Sequence, residues 1–209
     1  MKINIWTNNL FVSHNKPIPK EENISLKHFK KTVNSDEHLY ILRGDPTIHP
    51  NFYEMIKALQ NKNFIVSTHC LNSSVLIKNK QHIPYLVIKW DGLKNDILKG
   101  NNNLTYNMFK ILDMYSRNEN VTLRIEYTIS NKNIDWLLTD IAILRKLFSV
   151  YDNMKQPYFV INQQTEVLNQ DEYTFVPFGA DHLDILNKTG LLTQKNLDYL
   201  KASIDKKDY

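Results

Sequence analysis

Seven polar residues at or near the ends of predicted strands are the strongest candidates for chemistry in this sequence. Their types suit several tasks, since Asp and Glu bind cations or exchange protons, Lys and Arg bind anions, and His does either. In parallel α/β folds ligands meet the carboxyl ends of the strands, so we expect these side chains to share one edge of a sheet. The seven residues are Asp45, His69, Lys89, Asp91, Arg124, Glu126 and Thr128.

The fifth predicted strand, Val121–Ile129, alternates apolar with polar residues. Successive side chains of a strand point to opposite faces, so Arg124, Glu126 and Thr128 share one face and the apolar residues share the other. We expect the apolar face to pack against helices and the polar face to line a lumen, together with Lys89 and Asp91 of the fourth strand. Such a lumen is either an ion-pair network that neutralises itself or a pocket for a small anionic or polar ligand, and both interpretations stay open.

The potential metal ligands form no metal motif. Asp45, His69, Asp91 and Glu126 have suitable side chains, but no close pair such as His-x3-His accompanies them, so we predict no metal site. Cys70 is the single cysteine, which excludes an internal disulfide and a zinc site built from cysteines. We expect Cys70 to be a small buried residue.

Length and composition predict one globular domain spanning residues 1–209. The chain is 42% hydrophobic and 23% charged, as ordinary soluble proteins are. No apolar run is long enough to span a membrane and the start does not resemble a secretory signal, so we expect a cytoplasmic protein with no membrane partner. The net charge of +4 is concentrated in the N-terminal half, which keeps nucleic acid among the candidate partners.

Short β-rich runs alternate with helical stretches along the chain, a pattern that predicts a parallel sheet with right-handed crossovers. Six such units are too few for an eight-stranded closed barrel and indicate a partial (β/α)6 TIM-like barrel, with a doubly wound sheet as the competing topology. Residues 163–209 are predicted as an irregular segment plus a C-terminal helix that closes the barrel. The predicted strands are Ile3–Trp6, Leu39–Leu42, Phe64–Thr68, Tyr85–Trp90, Val121–Ile129 and Tyr158–Asn162, and the predicted helices are Ser25–Val33, one from Pro50, Leu104–Arg117, Asn133–Phe148 and Thr193–Ser203.

Four stretches, in matching order and spacing, resemble the core of the radical-SAM superfamily. The first, Leu39–Phe52, is similar to that family's second strand with its Gly-Gly-Glu-Pro turn, which here reads Arg43-Gly44-Asp45-Pro46. Phe64–His69 resembles the third strand. Val87–Gly92 with Asn95–Gly100 resembles the fourth strand, and Ile125–Asn131 resembles the fifth. The resemblance covers residues 39 to 145 and implies the partial barrel.

The same resemblance exposes a departure in the loop after the first strand. The family holds a [4Fe–4S] cluster there with three cysteines spaced Cys-x3-Cys-x2-Cys, whereas the loop Thr7–Pro19 contains no cysteine. The resemblance therefore implies a degenerate relative without the iron–sulfur cluster and without its radical chemistry. No cofactor is expected, except that residual binding of S-adenosylmethionine (SAM) stays an option because Asp45 stands where the family's Glu contacts the SAM amino group.

Three candidate functions follow. The leading one is a pseudoenzyme, a non-catalytic binding or regulatory relative that engages a protein, a peptide or a small ligand. The second is a cluster-independent enzyme that uses the charged lumen on SAM or an anionic small molecule. The third is a protein that binds nucleic acid through its basic N-terminal half. No catalytic residue can be assigned, so the sequence leaves enzymatic activity open and favours a binding role.

Overall fold

A computed structural model describes residues 1–7, 23–34, 36–94, 103–117, 120–129, 133–149, 158–163, 183–184, 187–188 and 194–205. Six strands lie within these ranges, each close to its predicted position. They are β1 (Lys2–Trp6), β2 (Leu39–Arg43), β3 (Asn63–Thr68), β4 (Tyr85–Trp90), β5 (Thr122–Ile129) and β6 (Tyr158–Gln163).

Six α-helices have defined bounds in the described ranges: α1 (Leu26–Thr32), α2 (Phe52–Ala58), α3 (Ser73–Lys78), α4 (Leu104–Ser116), α5 (Leu137–Ser149) and α6 (Gln194–Asp205). Residues 183–184 and 187–188 are helical as well. Three short 3-10 helices cover Pro46–Ile48, Lys80–His82 and Ile134–Trp136. Of the helices in these ranges, none has the length and apolar character needed to cross a membrane.

The sheet is parallel and its strands lie in chain order, from β1 at one side to β6 at the other. Right-handed crossovers between strands in this order place the connecting helices on one face of the sheet. A doubly wound sheet instead reverses its strand order partway across, so the observed order excludes that topology. Across the described residues β1 and β6 form the two edges, and the sheet is not closed into a barrel.

One face of the sheet, here called the helix face, is apolar and packs against the helices. Trp90 of β4 meets Phe109 of α4 and Tyr127 of β5 edge-on, with ring centroids 6.5 and 5.6 Å apart. Removing such side chains from water is the main stabilising contribution to the fold, at roughly 25 cal/mol per Å² of apolar surface. The buried strand residues of this face include Tyr40, Leu42, Phe64, Val66, Leu86, Ile88, Trp90, Leu123, Ile125 and Tyr127.

The opposite face, here called the polar face, carries side chains that are half-buried or exposed at several positions. On β5 the predicted alternation is confirmed for residues 122–128, since Leu123, Ile125 and Tyr127 are buried while Arg124 and Glu126 are half-buried. The same face continues through the register neighbours of these residues on β4. Its polar members are Asn4, Arg43, Ser67, Lys89, Arg124, Glu126 and Thr128.

Local side-chain chemistry sets the helix starts. Ser25 caps α1, as predicted, by accepting the backbone N–H of His28 at 3.2 Å. Helix α3 was not predicted, because six residues are too few to show a helical period. It begins after Asn72, whose side chain accepts the N–H of Val75 at 3.4 Å.

The predicted start of α2 at Pro50 is two residues early. The His49 ring lies 2.8 Å from the carbonyl oxygen of Ile24 through Nε2, and its Nδ1 accepts the N–H of Asn51 at 3.1 Å. A carbonyl oxygen only accepts, so Nε2 carries the proton and Nδ1 is the acceptor. His49 is buried, and it fixes the turn that delays the helix until Phe52.

Candidate functional site

Three charged residues of the polar face lie on adjacent strands. Lys89 of β4 is opposite Glu126 of β5, and Val87 is opposite Arg124 one layer below. The Arg124 guanidinium reaches along its own strand, and its Nη2 lies 3.0 Å from Oε1 of Glu126. The side chains of this pair are 34% and 20% exposed, so the structure brings the predicted Lys89, Arg124 and Glu126 together on a face that solvent reaches.

The Arg124 guanidinium is only partly paired. Its Nε is enclosed by protein and has no hydrogen-bond partner, and Nη2 makes the ion pair with Glu126. Arginine has five N–H donors, whereas a carboxylate has acceptor positions on both oxygens. The exposed part of the pair therefore offers donors on Arg124 and acceptor positions on Glu126 to a further group.

Asp91 and Thr128, two more of the predicted residues, lie where β4 and β5 end. The side chain of Asn133 joins them, because its Nδ2 donates to the carbonyl oxygen of Asp91 at 3.0 Å and to that of Thr128 at 2.7 Å. Asn133 is completely buried and Asp91 is nearly so. Sequence reasoning treated Asn133 only as a helix start and missed this link between the two strand ends.

Asp140, which was not predicted, anchors the loop that follows β4. One of its carboxylate oxygens accepts the N–H of Leu93 at 3.0 Å, and the other accepts the Tyr127 hydroxyl at 2.8 Å. The signal in the sequence was an acidic residue among the apolar positions Leu137, Ile141 and Leu144 of one helix face. Asp140 is completely buried, and its burial raises the pKa of this carboxyl group above the ordinary value.

Gly92 is required where this loop passes Asp140. Its φ of +86° is in the left-handed region. A Cβ at this position would overlap Oδ2 of Asp140 and lie 2.7 Å from the Tyr127 hydroxyl. The Asp91-Gly92 pair after β4 is part of the resemblance found in the sequence. Close packing against Asp140 and Tyr127 explains why its second residue is a glycine.

Lys94 connects the same loop to the 3-10 helix that precedes α5. Its ammonium group lies 5.1 Å from the centre of the Trp136 ring, within the range of a cation–π contact. The Trp136 side chain is exposed. Asn133, Trp136 and Asp140 therefore hold residues 91–94 from one short stretch of chain at the start of α5.

Asp45 forms a second polar cluster, after β2. Its Oδ1 accepts the N–H of Thr47 at 3.1 Å, the Thr47 hydroxyl, and the Thr68 hydroxyl at 2.8 Å. Its Oδ2 accepts the N–H groups of His69 at 3.0 Å and Leu71 at 3.2 Å. Five donors thus surround a completely buried carboxylate, and they come from its own turn, from the end of β3 and from the loop after β3.

The hydroxyl groups of the two threonines connect this cluster to two further backbone N–H groups. The Thr68 hydroxyl accepts the N–H of Cys70 at 2.9 Å, and the Thr47 hydroxyl accepts the N–H of Asn72 at 3.2 Å. Burial raises the pKa of Asp45, while the bonds from Thr47, Thr68 and Leu71 oppose the shift. The cluster therefore fixes the path of the chain from β3 into α3, with His69 half-buried beside it.

Cys70 is buried, as predicted, with a left-handed φ of +64°. Burial raises the pKa of its thiol well above the usual range, and the nearby charge of Asp45 acts in the same direction. A metal or cluster ligand must be a thiolate, and this environment opposes its formation. Across the residues that the structure describes, no group of three or more His, Cys, Asp or Glu side chains is placed to hold a metal ion.

The predicted site residues therefore fall into three places. Lys89, Arg124 and Glu126 share the middle of the polar face. Asp91 and Thr128 are joined through Asn133 at the ends of β4 and β5, and Asp45 with His69 forms the separate cluster after β2 and β3. The cysteine-free loop beyond Thr7, the stretch Asn95–Gly100, Asn131 and residues 164–182 of the irregular segment lie outside the described residues.

Comparison with known proteins finds solved structures with a similar fold. No protein-family model and no curated protein matches the sequence. Among solved structures, SuiB of Streptococcus suis superposes with a TM-score of 0.53 at 16% identity, covering 89% of this chain and 42% of that chain. SuiB bound to S-adenosylmethionine gives a TM-score of 0.54 at 14% identity, with 99% and 45% covered.

These similarities define the class of the molecule as an α/β protein whose fold is similar to part of SuiB. At such low identity the likeness establishes the fold alone. The chain spans less than half the length of either SuiB structure that it matches. Function is therefore argued from the side chains of this chain.

Proposed function

We propose that this protein is a radical-SAM-like partial barrel that holds no iron–sulfur cluster and binds a small polar ligand on its polar face, without catalysing radical chemistry. The observation that carries the proposal is the Arg124–Glu126 pair, which is partly exposed and lies on the strand next to Lys89. A network whose charges are all paired and enclosed would leave no position for a ligand. This pair is accessible to solvent instead.

The donor set of the chain does not fit a [4Fe–4S] cluster. Such clusters are held by cysteine thiolates, and the 209 residues contain one cysteine. That cysteine follows β3, is buried and has a raised thiol pKa. Reconstitution with iron and sulfide under anaerobic conditions should therefore give no visible cluster absorbance, and a stable cluster spectrum would contradict the proposal.

The binding role is tested by a thermal-shift screen of the full chain with SAM, nucleotides and divalent metals. We expect at least one organic compound to raise the melting temperature of the wild type, because a ligand that binds only the folded state stabilises it. The shift should disappear in Lys89→Ala and persist in the control Lys57→Ala, since Lys57 is exposed on α2. A flat screen would contradict a small-molecule ligand and indicate a protein or peptide partner instead.

A further inference from the structure

We propose that the amino end of the sheet carries a second binding site, a cavity for a flat, uncharged ring that bears both C=O and N–H groups, as a pyrimidine base does. The cavity lies where three strands begin, since Asn63 starts β3, Pro84 precedes β4 and Val121 precedes β5. None of the seven predicted site residues lines it. The cavity is therefore distinct from the polar face and from the cluster around Asp45.

The size and the apolar walls of this cavity suit a small molecule. Its volume is about 500 Å³, within the range of roughly 300–1,000 Å³ that small-molecule sites occupy. Phe64, Ile83 and Val121 are buried residues of the sheet's amino end that line it. Apolar walls favour the faces of a flat ring, whose polar atoms lie on its edge.

The charge of the walls favours an uncharged ligand. Lys62 is the one Lys, Arg, Asp or Glu side chain that lines the cavity within the described part of the chain. Its ammonium group forms an ion pair with Asp36, and the two side chains are 15% and 78% exposed. An anionic ligand would compete with Asp36 for this ammonium group, and a cationic ligand would meet no carboxylate among the lining residues.

His82 contacts two glutamine side chains on the wall of the cavity. Its Nδ1 lies 3.3 Å from Nε2 of Gln60, and its Nε2 lies 3.1 Å from Nε2 of Gln81. A neutral imidazole has one donor and one acceptor, whereas an amide NH2 group only donates. One glutamine therefore donates its NH2 group to the ring, and the other, turned by a half-rotation of its amide, accepts the ring N–H through its oxygen.

This arrangement leaves two complementary groups for a ligand. The glutamine that donates to His82 keeps its carbonyl oxygen, and the glutamine that accepts keeps its NH2 group. Within the residues that the structure describes, the contacts to the imidazole are the hydrogen bonds of these two side chains, and both side chains line the cavity. In either tautomer of His82 the wall offers one acceptor and one donor, which a ring with N–H and C=O groups around its edge can satisfy together.

Nitrogen-edited NMR of the 15N-labelled full chain, titrated with uracil and with 1,3-dimethyluracil, tests the proposal. Uracil has two N–H groups, and dimethyluracil replaces both with N-methyl groups while it keeps the ring and both carbonyl oxygens. We expect uracil to shift the side-chain NH2 signals of Gln60 and Gln81. Uracil should also bind at least about fivefold more tightly, because dimethyluracil leaves the acceptor on the wall without a donor.

Titration with uridine separates two sources of the same ring. Uridine binding more tightly than uracil identifies a nucleoside as the ligand, because the ribose then adds contacts within the cavity. Uridine binding equally or more weakly identifies the free base.

Variants of the 3-10 helix Lys80–His82 show whether the glutamines make the contact. Gln81→Met should weaken uracil at least about fivefold, since methionine keeps the length of the side chain but has no amide group. The matched control is Lys80→Met, because Lys80 lies on the same 3-10 helix, is exposed and does not line the cavity. It should leave uracil affinity unchanged. Glu126→Ala should also leave it unchanged, so failure of this proposal and failure of ligand binding on the polar face are distinguishable.

Three results would each overturn the proposal. They are an affinity for dimethyluracil equal to or above that for uracil, equal effects of Gln81→Met and Lys80→Met, and no binding of uracil to the wild type. The unfolding midpoint of each variant is measured alongside. If Gln81→Met fails to fold, Gln60→Met gives the same comparison from the other side of the His82 ring.

Discussion

Tyr127 of β5 donates a 2.8 Å hydrogen bond from its hydroxyl group to the carboxylate of Asp140 in α5. The other carboxylate oxygen accepts the N–H of Leu93 in the loop after β4. One buried side chain therefore joins a strand, a helix and a loop at the carboxyl end of the sheet. Four of the predictions below concern this cluster and the one around Asp45.

Asp140→Ala should lower the free energy of unfolding by about 2–4 kcal/mol, because it leaves the Leu93 N–H and the Tyr127 hydroxyl buried without their acceptor. Urea unfolding measures the change. The control is Asp113→Ala, which removes an exposed ion pair with Arg117 on α4 and should change stability by less than about 1 kcal/mol. Equal effects of the two substitutions would show that Asp140 is not an anchor.

The pH dependence of stability should carry a contribution from Asp140. Burial raises its pKa above the ordinary value of 3.8, against the opposing bonds from Leu93 and Tyr127 and the charge of Lys94. The folded state then holds the proton more tightly, so the contribution is complete below pH 3.8 and is lost as pH rises through the folded-state pKa. The stability of the wild type relative to Asp140→Asn should therefore increase from about pH 7 to about pH 4, measured by urea unfolding. A constant difference would contradict the raised pKa.

Gly92→Ala should destabilise the fold by about 2–4 kcal/mol, since the left-handed backbone at this position is unfavourable for alanine and the added methyl group overlaps Asp140. In the double variant Gly92→Ala/Asp140→Ala, removal of the carboxylate makes room for the methyl group. The losses in free energy of unfolding of the two single variants should then add up to more than the loss measured for the double variant. Strict additivity in urea unfolding would argue against the overlap.

Asp45→Asn should also lower stability by about 2–4 kcal/mol. In either orientation of the amide, its NH2 group faces at least one backbone N–H that cannot become an acceptor, from Thr47 on one side or from His69 and Leu71 on the other. Thermal or urea unfolding measures the loss. Asp36→Asn, which weakens a pair between an exposed carboxylate and Lys62, serves as the control and should change stability by less than about 1 kcal/mol.

Much of the fold could be predicted from the sequence, because the spacing of hydrophobic residues and the residue types indicate where strands and helices form. The β5 alternation assigned Leu123, Ile125 and Tyr127 to the helix face and Arg124 and Glu126 to the polar face, as observed. Helix α3 was missed since its six residues show no period. The choice between a sequential and a doubly wound sheet required strand order, which arises from long-range pairing and leaves no local signal.

The candidate site was only partly predictable for a related reason. Residue type and strand position were enough to group Lys89, Arg124 and Glu126, because neighbours on a strand face are fixed by its pleat. The use of Asp45 as a buried acceptor for five donors depends on the three-dimensional path of residues 68–72. The same holds for Asp140, whose partners are 13 and 47 residues away.

The most direct test of ligand binding on the polar face is a paired measurement on Glu126→Ala, namely its free energy of unfolding and its affinity for SAM. We expect the affinity to fall at least about tenfold while stability changes by less than about 1 kcal/mol, because the pair with Arg124 is partly exposed. The control Glu54→Ala, on the exposed side of α2, should leave both quantities unchanged. A loss of stability above about 2 kcal/mol with unchanged SAM affinity would instead make the Arg124–Glu126 pair a structural ion pair and contradict a binding site there.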